Sequence, residues 1–112
     1  MHYTYVLLSQ KDGRWYTGAT GDLRKRLHEH ATGNVRSTAS RAPLELSYNE
    51  ACIERDDALR RERFLKTGKG KRYLKNRLGR FLLNRRSKSR STSLQGTILN
   101  PQQLERDKLE RH

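Results

Sequence analysis

Apolar and polar positions along this chain follow two periods, one of two residues and one near four. Tyr3 to Leu8 (YTYVLL) is aromatic and β-branched and reads as a strand. An Asp12-Gly13 turn signal follows, and Trp15-Tyr16-Thr17 resumes β character, so the N-terminus is expected to be a β-hairpin. Gly18 to Gly21 are expected to break the second strand. From Asp22 the period lengthens: Leu23, Leu27 and Ala31 recur at intervals of four, and Gly33 stands just past the end of the predicted helix. Thr20 or Asp22 can cap the free amides at its start. Residues 34–43 (NVRSTASRAP) show no periodicity, close on a proline and read as a basic loop.

The period of two returns in Leu44 to Ala51, a third strand with one covered face. Asp56 and Asp57 then place negative charge where a helix N-terminus favours it. Ala58, Leu59, Glu62 and Leu65 share one face of that helix, and Thr67-Gly68-Lys69-Gly70 is expected to end it. A last helix carries Tyr73, Leu74 and Leu78, and extends toward Phe81 and Leu82. Past Asn84 the chain turns basic and serine-rich (RRSKSRSTS, Arg85 to Ser93) without apolar anchors, so residues 85–112 are expected to form a largely disordered tail. Pro101 to His112, with Leu104 and Leu109, has the pattern of a short charged helix. No internal repeat is visible. The expected order is β-β-α-β-α-α over residues 1–84.

Composition sharpens this picture. A chain of 112 residues has room for one domain. Its 32% hydrophobic and 33% charged residues agree with part of it staying unfolded. The net charge of +13 attracts polyanions, nucleic acid first and an anionic membrane surface second. No run approaches the length of a membrane span, and the N-terminal segment has neither a basic leader nor a small-residue cleavage site. Cys52 stands alone, so disulfides within the chain and cysteine zinc sites are excluded. These features predict a reduced intracellular setting: cytoplasmic and, in a bacterium, nucleoid-associated.

Three groups of residues are candidates for chemistry. Between Arg60 and Arg90 the chain holds fourteen lysines and arginines and one acid, Glu62. Glu62 lies on the apolar stripe of its helix, where an unpaired carboxylate is costly. It is either half of a structural ion pair with Arg61, Arg63 or another cation, or a ligand for a hard divalent ion. Arg26 and His30 are four apart on the first helix and share a face bordering its apolar stripe. There an arginine either grips phosphate or belongs to a solvated basic face with Arg24 and Lys25. His28, two residues from His30, diverges from it and is discounted as a metal partner. Tyr3, Tyr5 and Tyr16 lie on the hairpin strands, with Tyr3 and Tyr5 on one face. Such tyrosines usually pack; a phenol acts as a base only where a cation lowers its pKa from about 10.

Taken in order, these residues resemble the GIY-YIG nuclease superfamily, in particular its small single-domain bacterial members. The second signature triplet is Tyr16-Thr17-Gly18. The first is degenerate, Tyr3-Thr4-Tyr5, and keeps its final tyrosine. Asp22 to His30 is similar to the family's arginine- and histidine-bearing helix, Arg41 to Glu50 to its third strand, and Ala58 to Lys66 to the helix with its metal-binding glutamate. The likeness covers about residues 1–80. It implies an α+β fold, a three-stranded antiparallel sheet flanked by helices, with Tyr5, Tyr16, Arg26, His30 and Glu62 gathered at one surface. It further implies that Glu62 holds one Mg²⁺ or Mn²⁺, that Tyr5 or, preferably, Tyr16 activates water, that Arg26 stabilises phosphate charge, and that His30 orients or relays a proton. The products would carry 5′-phosphate and 3′-hydroxyl ends. Some relatives place a C-terminal asparagine near the site, for which Asn76 is the nearest candidate. Arg24, Lys25, Arg36, Arg41, Lys66, Lys69, Lys71 and Arg72 are the expected phosphate contacts, with DNA favoured over RNA. The competing expectation is a non-catalytic nucleic-acid-binding module on the same fold.

Overall fold

The structure, a computed structural model, describes residues 1–88. The serine-rich segment from Ser89 and the expected terminal helix lie outside the described residues. The elements are β1 (His2–Ser9), β2 (Trp15–Thr20), α1 (Leu23–Ala31), a 3-10 turn (Ala39–Arg41), β3 (Leu44–Cys52), α2 (Arg55–Leu65), α3 (Gly68–Arg77) and α4 (Gly79–Lys88). The three strands form one antiparallel sheet in the order β2-β1-β3. The predicted α+β class and order hold, with the last helix divided at Leu78 into α3 and α4.

Alternation along β1 sends side chains into two cores. Tyr5 and Leu7 point to one face, where they pack with Leu27 and Leu44 beneath α1. Val6 points to the other, where it packs with Leu65 of α2 and Leu74 of α3. All these residues are buried. Burying each such aliphatic side chain contributes roughly 1.5–3 kcal/mol. Thr4, also buried, is satisfied by donating to the Ala58 carbonyl at 2.8 Å, which ties β1 to α2.

β3 serves both cores by means of a bulge. Its register against β1 shifts between Val6 and Leu7, so Leu46 opposes Leu7 while Tyr48 opposes Val6. Ser47 is the extra residue, and its hydroxyl donates to the Val6 carbonyl at 3.1 Å. Leu44 and Leu46 therefore join the core under α1, and Tyr48 joins the core under α2 and α3. The simple alternation expected for β3 also put Glu45 in solvent. It is instead wholly buried, and the Gln10 side-chain amide donates to its carboxylate at 3.2 Å.

Two glycine readings are corrected. Gly18 does not break β2; it lies within the strand, directly opposite Tyr5. A Cβ there would stand 2.5 Å from the Tyr5 hydroxyl, so glycine makes room for the ring. Nor do Gly68 and Gly70 end α2, which stops at Leu65 with Lys66 as its C-cap. Thr67 caps the next helix by accepting from the Gly70 amide at 3.0 Å, and α3 begins at Gly68. A Cβ on Gly70 would lie 2.0 Å from the Phe64 carbonyl oxygen, so only glycine lets α3 turn this tightly against α2.

The expected caps of α1 are present: Asp22 accepts from the Lys25 amide at 3.1 Å, and Gly33 follows the helix at φ +79°. The basic loop after it is more ordered than its sequence suggests, with Val35 and Thr38 buried and Pro43 preceded by a cis peptide bond. α4 runs past Asn84 to Lys88, so the change in composition there does not end the helix.

Candidate active site

The site lies on the sheet face covered by α1. Tyr5 and Tyr16 reach it from adjacent strands, Tyr5 opposite Gly18 and Tyr16 opposite Leu7. His30 comes from the last turn of α1. The Tyr5 and His30 ring centroids are 5.6 Å apart, those of Tyr16 and His30 5.0 Å, and those of the two tyrosines 6.4 Å. Tyr5 and His30 are buried, whereas Tyr16 keeps part of its surface open.

A short polar chain runs inward. The Tyr5 hydroxyl is 2.7 Å from His30 Nε2, and His30 Nδ1 is 2.7 Å from the buried Thr38 hydroxyl. Burial first, and the nearby Arg26 charge second, depress His30 to about 4, so the ring is neutral near pH 7. The Thr38 hydroxyl faces the Val35 carbonyl at 3.4 Å. A hydrogen-bond assignment consistent with all three contacts has Thr38 donating to Val35, His30 Nδ1–H donating to Thr38, and the Tyr5 hydroxyl donating to Nε2. Thr38 was not foreseen in the sequence. It lies in an aperiodic loop eight residues from its partner, and only the fold of that loop beneath α1 brings the two together.

Arg26, one turn before His30, lies against the phenol oxygens of both tyrosines. Tyr5 above all, and Tyr16 after it, hold the guanidinium proton more tightly, against the opposing effect of burial. Arg26 also approaches Glu29 at 3.6 Å across a half-open surface. The Tyr5 phenol is pushed up to about 12, mainly by burial; Arg26 opposes the rise, while Tyr16 and Glu62 add to it. Glu62, on α2, is thus close enough for its charge to be felt at the floor of the site. Its side chain is 21% exposed, and its partner is Lys66 at 3.2 Å, one turn on and 57% exposed. The foreseen cations are engaged differently: Arg61 pairs with Glu50, and Arg63 is exposed. An ion pair as open as Glu62–Lys66 contributes about 0–1 kcal/mol, so Lys66 can yield the carboxylate to a stronger cation.

No three His, Cys, Asp or Glu side chains among the described residues gather into a metal cage. A single largely covered carboxylate suits Mg²⁺ or Mn²⁺, which accept one protein oxygen and fill the remaining positions with water and phosphate oxygens. It does not suit zinc, which needs three or four protein ligands. Asn76 is exposed on α3, the helix of the opposite layer.

The expected phosphate contacts divide. Lys25, Arg36, Lys69, Lys71 and Arg72 are exposed, and Arg24 is half-buried. Lys66 is occupied by Glu62. Arg41 is bound to Asp12 of the hairpin turn at 3.2 Å with its side chain 21% exposed, so it braces the loop.

This arrangement is that of a GIY-YIG domain: the family described as the GIY-YIG catalytic domain matches residues 1–73, and the chain belongs to that nuclease superfamily. Within it, the chain is similar to UPF0213 proteins. It is 38% identical over 63 residues to one from Halobacterium salinarum, a match covering 55% of this chain and 80% of the relative. It is 42% identical over 65 residues to one from Streptococcus agalactiae, covering 57% and 73%. The solution NMR structure of the UPF0213 protein from Bacillus halodurans matches 82% of this chain and 98% of its own, at 34% identity and a TM-score of 0.47.

Proposed function

We propose that this protein is a metal-dependent endonuclease that hydrolyses phosphodiester bonds in DNA, leaving 5′-phosphate and 3′-hydroxyl ends. The observation that carries the reading is the convergence of Arg26 with two phenols and a neutral histidine, within reach of the Glu62 charge. Glu62 would hold Mg²⁺ or Mn²⁺, which supplies Lewis-acid polarisation of the phosphate when bound.

The division of labour among the chain's own residues follows from their exposure. Tyr5 is sealed from solvent and donates a hydrogen bond to His30, so it positions and does not meet the attacking water. Tyr16 is the open phenol and serves, as the phenolate beside the Arg26 guanidinium, as the base that takes the water proton. Arg26 stabilises the charge that builds on the phosphoryl oxygens. His30 holds Tyr5 in place and is backed by Thr38. No helix of the described residues is long and apolar enough to cross a membrane, and the +13 charge draws the chain to nucleic acid.

The test uses purified protein with labelled single-stranded, duplex and branched DNA and the matching RNAs, in Mg²⁺, Mn²⁺ or EDTA. Metal-dependent cutting is expected, falling at least about a thousandfold in Glu62→Ala with the fold unchanged by circular dichroism. Salt-sensitive binding without cutting, indifferent to Glu62→Ala, would replace the enzyme with a binding module.

A further inference from the structure

Two cavities outside the polar chain of the site meet at Trp15 and Lys71. The first, about 280 Å³, is lined by Trp15, Tyr16, Leu65, Lys66 and Lys71 among others. The second, about 510 Å³, shares Trp15 and Lys71 and continues past Arg14 and Lys75 to Leu82. Together they supply four cations, of which Lys66 is paired with Glu62, and no acid is among the residues lining either one. Their path is set by β2. Trp15 and Tyr16 are consecutive in an extended strand, so their side chains leave on opposite faces. Tyr16 belongs to the core under α1, Trp15 to the core under α2 and α3. β2 is an edge strand. The combined groove therefore starts at the accessible phenol of the site, passes around the edge of the sheet, and ends between β2 and the C-terminal helices.

We infer that this groove takes an unpaired segment of nucleic acid flanking the phosphate at the site, with Trp15 as the platform on which a base stacks and Lys66, Lys71, Lys75 and Arg14 along the backbone. The inference rests on Tyr16 marking the cutting face. Charge alone would suit any nucleic acid; shape decides between its forms. A duplex is stiff over roughly 150 base pairs and cannot wrap the edge of one strand. A single strand bends at every residue and offers its bases to an aromatic face. The partly covered indole, held on one side by Leu65 and its neighbours, loses little freedom when a base stacks on it. The substrate class this selects is nucleic acid with a single-stranded arm adjoining the scissile phosphate.

Trp15 is the only tryptophan, so its emission reports on this groove alone. The experiment titrates the full chain, in EDTA, with an oligothymidylate of about twelve nucleotides and with a blunt duplex of the same length. The single strand is expected to quench the emission and the duplex to leave it nearly unchanged. By anisotropy of labelled oligonucleotides, Trp15→Leu should weaken single-strand binding roughly tenfold, Trp15→Phe should recover most of it, and neither should alter duplex affinity. Lys71→Ala, at an exposed position, should lower the salt dependence of single-strand binding. Bound oligonucleotide with unquenched emission, equal losses on both nucleic acids, or no single-strand binding would each overturn the groove. Restoring Mg²⁺ then separates the two readings. A chain that quenches and never cuts keeps the groove and loses the nuclease; one that cuts without quenching does the reverse.

Discussion

The two faces of the sheet bury polar groups by opposite means. Under α1, Tyr5, His30 and Thr38 form a chain of uncharged groups, with Arg26 at its open end. Under α2 and α3, charge is buried in compensated form. Arg61 pairs with Glu50, the Tyr48 hydroxyl donates to the same carboxylate at 2.8 Å, and the guanidinium lies 4.6 Å from the Tyr73 ring centroid and 5.1 Å from that of Phe64. Each layer raises a tyrosine pKa. Burial leads in both, but Tyr48 is also held up by its bonds to Tyr73 and Glu50, whereas Tyr5 is partly drawn back by Arg26. The second layer matches its half-buried guanidinium, Arg61, with the Glu50 carboxylate. The first leaves a guanidinium partly open toward solvent, its Glu29 partner at 3.6 Å across a half-open surface, where an incoming anion can compete for it. Polar burial of the first kind suits chemistry, and of the second kind suits holding helices to a sheet.

The largest effect should come from Arg26→Ala, which removes the open cation from the first layer. Cleavage should fall by about two to three orders of magnitude with little change in melting temperature; near-normal turnover would end its catalytic role. Changing Arg61 to methionine tests the other half. Because it leaves Glu50 half-buried without its cation, stability should drop by about 2–3 kcal/mol in denaturant titration, while the turnover of folded protein stays within twofold.

Protonation separates the layers next. His30 sits at about 4 when folded, below its ordinary value of 6.5. A depressed histidine favours the folded state fully above pH 6.5, and that contribution is lost as pH falls toward 4. It amounts to about 3 kcal/mol at full size. The pH dependence of unfolding between 6.5 and 4 should therefore flatten in His30→Asn; an unchanged slope would show that the ring is not neutral in the fold. The last comparison concerns fit. Gly18→Ala forces a methyl against Tyr5, whose ring has no room to move, and should cost about 1–3 kcal/mol together with much of the cleavage. If stability falls and cleavage per folded molecule does not, Tyr5 is only packing.

Much of this was legible in the chain's periodicity. The hairpin, the capped α1, the third strand and the acid-led α2 follow from patterns that depend on near neighbours. The errors share a cause. Gly18 and Gly70 look like breakers because glycine's entropic cost is visible in sequence, whereas the Tyr5 ring and the Phe64 carbonyl that require them are distant in sequence or around a turn. Glu45 looks solvent-exposed because alternation does not announce the fold around it. Arg41 looks like a phosphate contact until Asp12, twenty-nine positions away, is found beside it. Of the site, the residues on regular elements were readable from spacing and family likeness. Thr38 was not, since a loop carries no period to betray which way it faces.

The surplus residue in β3 makes that strand behave like a reading frame. Deleting Ser47 would move every later side chain to the wrong side: Tyr48 would swing toward the histidine layer, and Glu50 would leave Arg61 behind. A second one-residue change beyond Glu50 could not repair the damage, because the misplaced pair lies between the two edits. Length variation in this ribbon is thus tolerable only outside the stretch from Leu44 to Glu50, which restricts the insertions and deletions that homologues of this chain can carry.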